Sequence, residues 1–135
     1  KRAPTAVLCL VSALAYHGLT DQLPRKVWIA IGKDQWSPKI TNPPVRIVRF
    51  REPYFSTGLE SVCIGGVEIK VYSVAKSIAA AFRNEKLVEK TVAIEALKSA
   101  IRLRKASPAE LISAARVYKA SKKMRPVLET ITSSS

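Results

Sequence analysis

The stretch S-V-C-I-G-G-V-E-I-K-V-Y-S-V-A-K-S-I-A-A-A-F-R, residues 61–83, holds the change of pattern that decides the fold. Its first half is β-branched on both sides of Gly65-Gly66. Two glycines between two such runs predict a hairpin with arms 61–64 and 67–72, because both glycines can take positive φ. At Ser73 the pattern turns helical. A serine there can accept a backbone N–H at a helix start, and the helix is expected to run to about Phe82 or Arg83.

Working back towards the start, K-V-W-I-A-I (26–31) and V-R-I-V-R-F (45–50) read as two strands. In the second, Val45 and Ile47 share one face, and Val48 and Phe50 the other. Between them, residues 32–44 carry three prolines and read as a loop. Residues 4–16 are expected to be a helix, with Pro4 in the first turn and Val7, Leu10, Val11 and Leu14 at helical spacing. Gly18, after His17, would end it in a left-handed cap.

Beyond Arg83 the reading stays helical. A helix is expected over about 87–104, with Ile94, Leu97 and Ile101 on one stripe. Ser107-Pro108-Ala109-Glu110 has the spacing of a capping box and starts a helix to about Lys119. A last helix is expected from Lys122 or Met124 to Ile131, with Pro126 tolerated only in its first turn. Residues 133–135 read as a disordered tail. The predicted class is α+β: an N-terminal helix, a mostly antiparallel four-stranded sheet, then about four helices, in one domain over residues 1–132.

The bulk numbers fit one domain with one core, since 135 residues with 47% apolar content can bury roughly two-thirds of the unfolded surface. The longest apolar run, Ala6 to Ala15, is too short to cross a bilayer, and no membrane partner is expected. Cys9 and Cys63 both sit among apolar neighbours. Free thiols and a reducing cytoplasm are the expectation, although one disulfide is formally possible. The first residue is Lys1, so a fragment or processed product is expected.

No metal site or cofactor is expected: there is one histidine, the cysteines are distant, and Gly65-Gly66 lacks a phosphate-loop lysine. His17, at a helix end, reads as a structural residue serving the terminal carbonyls. The alternative to a non-enzyme is a small metal-dependent nuclease using Glu60, Glu68 and Lys70. Two carboxylates would hold one ion and the lysine would sit near the attacking water. The competing reading of Glu68-Ile69-Lys70 is plain strand alternation, with Val67, Ile69 and Val71 facing in.

Charge is the strongest bulk signal. Twenty-three basic residues against ten acidic ones give +13, which favours polyanionic partners. Lys98, Arg102, Arg104, Lys105, Arg116, Lys119, Lys122, Lys123 and Arg125 face a single carboxylate, Glu110, over residues 98–125. These nine are the candidate nucleic-acid-binding residues, expected to project outward together as one electropositive surface. Arg46, Arg49 and Arg51 form a second group on a strand. Tyr16, Trp28, Phe50, Phe82 and Tyr118 read as core; Trp36, Tyr54 and Phe55 fall in loops.

Four segments share a further pattern: P-T-A-V-L-C-L-V-S-A-L-A-Y-H-G-L-T (4–20), L-P-R-K-V-W-I-A-I (23–31), S-V-A-K-S-I-A-A-A-F-R (73–83) and V-A-I-E-A-L-K-S-A-I-R-L-R-K-A-S-P-A-E-L (92–111), with M-R-P-V-L-E (124–129) closing it. In this order and spacing, the chain resembles the C-terminal domain of AbiEi-type antitoxins of type IV toxin–antitoxin systems, without their N-terminal winged helix-turn-helix. The resemblance implies a bacterial cytoplasmic protein that counteracts a nucleotidyltransferase toxin without a stable complex, in phage defence or plasmid maintenance. It also implies a part in DNA binding and transcriptional autoregulation, with DNA or RNA as partner. The chain departs from the family pattern at Ala80-Ala81, Glu85-Lys86-Leu87 and Glu89-Lys90-Thr91.

Overall fold

The computed structural model describes residues 6–35, 44–64 and 66–133. Its elements are β1 (Val7–Leu8), α1 (Leu10–Tyr16), β2 (Val27–Gly32), β3 (Val45–Phe50), β4 (Leu59–Ile64), β5 (Val67–Tyr72), α2 (Val74–Arg83), α3 (Lys90–Arg102), α4 (Pro108–Val117) and α5 (Ser121–Ser133). The class is α+β. The expected mostly antiparallel four-stranded sheet is wrong, because the sheet is mixed, with five strands in the order β3-β2-β1-β5-β4. β2 and β3 run parallel, as do β1 and β5, while β1–β2 and β4–β5 are antiparallel.

The missing strand lies inside the stretch that reads as an N-terminal helix. Val7 pairs with Ala30 and Lys70, and Leu8 with Ile29 and Val71, so β1 fills the centre of the sheet. Two residues are too few to show a period of two, and their neighbours fit a helical stripe equally well. The helix starts only at Leu10, whose φ is 49°, a left-handed conformation uncommon for a bulky residue. Burial of Leu10 in the core holds that turn in place. Residues 1–5, including Pro4, lie outside the described residues.

Alternation then assigns the two faces of the sheet. Val7, Ala30 and Tyr72 join the buried cluster formed with the helices, and Val48 and Phe50 pack against it. Ile29, Ile31 and Val71, on the opposite face, are also buried. Strands buried on both sides are continuous apolar runs, which is why V-W-I-A-I shows no polar alternation.

α2 is the central helix and packs on α1, α3, α4 and α5. Ser73 Oγ accepts the Lys76 N–H at 3.3 Å, and seven of its ten residues are buried. The Ser107–Glu110 capping box is present: Glu110 N donates to Ser107 Oγ at 3.1 Å, and Ser107 N to Glu110 Oε1 at 2.7 Å. α1 closes with Gly18 at φ 74° and Leu19 N donating to Leu14 O at 2.9 Å. α5 begins at Ser121 and extends to Ser133, so Pro126 falls beyond the first turn. That placement corrects the first-turn expectation: a proline there removes one donor from the ladder, on the exposed side of the helix. Residues 134–135 of the expected tail lie outside the described residues.

Candidate nucleic-acid interface

All nine cations singled out in the sequence are solvent-exposed. Lys98, Arg102, Arg104 and Lys105 gather at the end of α3. Arg116, Lys119, Lys122, Lys123 and Arg125 gather at the corner where α4 meets α5. The ten-residue helix α4, about 15 Å long, lies between the two groups in the chain.

Several of these cations have structural partners. Arg104 and Lys119 sit at the C-terminal ends of α3 and α4 with φ of 57° and 59°. The following amides close the helices: Lys105 N donates to Ala100 O at 2.8 Å, and Ala120 N to Ala115 O at 2.7 Å. Lys105 Nζ donates to the His17 carbonyl, satisfying the end of α1. Lys123 pairs with Glu85 at 2.5 Å, and that bond holds the Glu85 carboxyl below its ordinary range. Arg102 shares a shallow recess with Asp21 and Glu95, whereas Arg116 and Arg125 flank a groove with Glu129.

His17 Nε2 lies 2.8 Å from Tyr72 O, a contact between helix end and sheet. Tyr16 is 43% exposed, which corrects its reading as core; it is the outward residue at the last turn of α1. Phe55, expected only in a loop, is buried. Trp36 lies outside the described residues. Cys9 is buried and free, and burial pushes its thiol well up; Cys63 is exposed and free.

The β4–β5 register places Glu60 opposite Val71, Ser61 opposite Lys70 and Cys63 opposite Glu68. Paired residues share a face and successive residues alternate, so Glu60 points away from Glu68 and Lys70. The two carboxylates that the nuclease alternative needs on one ion are therefore separated by the sheet. Lys70 Nζ donates instead to Ser61 Oγ at 2.7 Å.

Five cations converge elsewhere, in a cleft of about 420 Å³ lined by Lys33, Arg49, Arg51, Lys76 and Arg83, beside the carboxyl ends of the parallel strands β2 and β3. Lys33 follows β2 and Arg51 follows β3. α2 contributes Lys76, Ala80 and Arg83, and its C-cap Asn84 continues the stripe at helical spacing. Phe50, Tyr54 and Tyr118 supply aromatic walls, and among the described residues no acidic one lines the cleft. The carboxylate of the adjoining loop, Glu52, accepts from Ser56 N at 3.2 Å and Ser56 Oγ at 2.5 Å.

Lys76 is the unusual residue of the cleft. It is 2% exposed, with no carboxylate partner among the described residues. Its Nζ donates to Tyr54 O, and to Thr57 O at 3.0 Å. It also lies 3.9 Å from the Tyr72 ring centroid and 4.3 Å from that of Tyr118. Burial lowers its pKa to about 8, and the surroundings of Cys9 and Glu52 only partly oppose that. Arg83 lies over Tyr54, 5.3 Å from the ring centroid. Arg49, from the second basic group, donates to Lys33 O at 3.0 Å and Gln35 O at 2.7 Å, tying down the chain after β2. Arg46 lies over Trp28 at 5.2 Å.

Sequence reasoning found Arg49 and Arg51 but missed Lys76 and Arg83. Both stand in an alanine-rich helix that reads as core. The available signal was the spacing of Lys76, Ala80, Arg83 and Asn84, which puts two cations on one stripe with small residues between them. No family model matches the chain, and no curated protein matches it.

Proposed function

We propose that this chain is a non-catalytic antitoxin domain of the AbiEi type, cytoplasmic, that counteracts a nucleotidyltransferase toxin and contributes to DNA binding through the cations of α3, α4 and α5. The carrying observation is that all nine cations are exposed, with one ion pair, Lys123–Glu85, among the described residues. A surface of this kind binds phosphates without reading base sequence, and RNA is an equivalent partner for it. The shared sequence blocks, above all S-A-L-A-Y-H-G-L-T (12–20) and the E-A-L-K-S-A-I-R-L-R-K segment (95–105), support the antitoxin part of the reading.

The test has two arms. Duplex DNA is titrated across a salt series, with charge reversal at Lys98, Arg102 and Lys122. Each lost phosphate contact is expected to lower the salt slope by about one unit. Binding that ignores salt would remove the nucleic-acid part. Co-expression with the partner nucleotidyltransferase is expected to relieve growth arrest, and persistence of the arrest would remove the antitoxin part.

A further inference from the structure

We propose that the cleft at the carboxyl ends of β2 and β3 is a binding site for a phosphorylated nucleoside, taken as a free nucleotide or as the phosphorylated end of a strand. This site is separate from the cations of α3–α5 and does not depend on them.

Position supports the assignment first. Ligands of sheets with parallel strands bind outside the strand carboxyl ends, where loops diverge and leave a crevice. Here Lys33 and Arg51 directly follow adjacent parallel strands, and residues of α2 line the other side of the cleft. Volume agrees: about 420 Å³ falls in the range of roughly 300–1,000 Å³ that small-molecule sites occupy.

The chemistry of the lining narrows the ligand. Lys33, Arg51 and Arg83 are exposed at the rim. A cluster of like charges without a carboxylate calls for a multiply charged anion. Arg83 lies over Tyr54, its Cζ 5.3 Å from the ring centroid, and its guanidinium offers the fork geometry that matches phosphate oxygens. Beneath the rim lies Lys76, whose buried charge adds to the field while its N–H groups hold Tyr54 and Thr57 in place. Lys76 is thus a positioning residue. Inorganic phosphate alone would leave the Phe50, Tyr118 and Ala80 walls without an occupant, and a neutral aromatic would leave the cations unanswered. A planar base joined to a phosphate answers both.

Calorimetric titration of the full chain with adenosine 5′-monophosphate, adenosine and inorganic phosphate tests this. The monophosphate is expected to bind about tenfold or more tightly than either part, and Arg51→Ser and Arg83→Ser each to weaken it about tenfold. Arg83→Lys keeps the charge without the fork and is expected to fall between; unchanged circular dichroism establishes folding of these exposed-site variants. Charge reversal at Lys98 and Arg102 is expected to leave binding unchanged, which separates this site from the helical surface. A 5′-phosphorylated oligonucleotide that displaces the monophosphate, when its 5′-hydroxyl counterpart does not, identifies a strand end; failure to displace identifies the free nucleotide. Equal binding of monophosphate and phosphate, or binding indifferent to Arg51 and Arg83, overturns the proposal.

Discussion

Lys76 shows how one residue can carry both stability and site geometry. Burial favours its neutral form, so its folded pKa, about 8, lies below the ordinary value of 10.5. Between these values the unfolded chain binds more protons than the folded one, and stability increases with pH. Cys9 and Tyr72 act oppositely. Burial raises both thiol and phenol, so above their ordinary values of 9.0 and 10.0 only the unfolded chain releases protons, and stability falls. The expected profile rises by about 1 kcal/mol between about pH 8 and pH 9, flattens, and declines above about pH 10. Urea midpoints across this range check it. Lys76→Met should remove the rising limb; a rise that survives the substitution would contradict the assignment. None of this was legible in the sequence. Lysine is rarely buried without a paired carboxylate, and its partners here, the carbonyls of Tyr54 and Thr57, are distant in the chain.

At the scale of elements, helix ends were the most legible feature. The Ser107–Glu110 box, the Ser73 cap and the Gly18 turn are local chemistry, complete within a few residues, and all three are present. β1 was illegible for the converse reason: its identity lies in its partners, Ala30, Ile29, Lys70 and Val71. The ends of α3 and α4 fall between these cases. Arg104 and Lys119 occupy the left-handed position where glycine is usual. Replacing either with glycine relieves a Cβ clash at the cost of added freedom in the unfolded chain. The expected net gain is about 0.5 kcal/mol each, read as a higher melting temperature. A loss on substitution would mean that the cation itself, by its charge near the last carbonyls, contributes more than the backbone strain removes.

For the molecule as a whole, net charge outweighs any single contact in setting how it responds to its surroundings. A net +13 on 135 residues is self-repelling, and both salt and polyanions relieve that repulsion. The expected outcome is a melting temperature that rises with short duplex DNA at low ionic strength and loses that gain by about 0.5 M salt, as screening shortens the Debye length to a few ångströms. A DNA-induced shift that persists at high salt would point to base contacts or apolar contacts instead. The basic stretch over residues 98–125 was legible because charge is a property of composition. The cleft was not: Lys33, Arg51, Lys76 and Arg83 come from three elements that only the parallel pairing of β2 and β3 and the docking of α2 bring together.

Among the described residues, the hydrogen-bonded ladders of the two halves of the sheet, β3–β2 and β5–β4, are joined through Val7 and Leu8. The β4–β5 hairpin is built from contacts close in the chain, but joining the halves closes a loop from Val7 to Lys70, whose ordering entropy is recovered only when both sides of β1 engage. That short strand is therefore a keystone. A perturbation there is expected to weaken the pairing between the halves while each half keeps its own ladder.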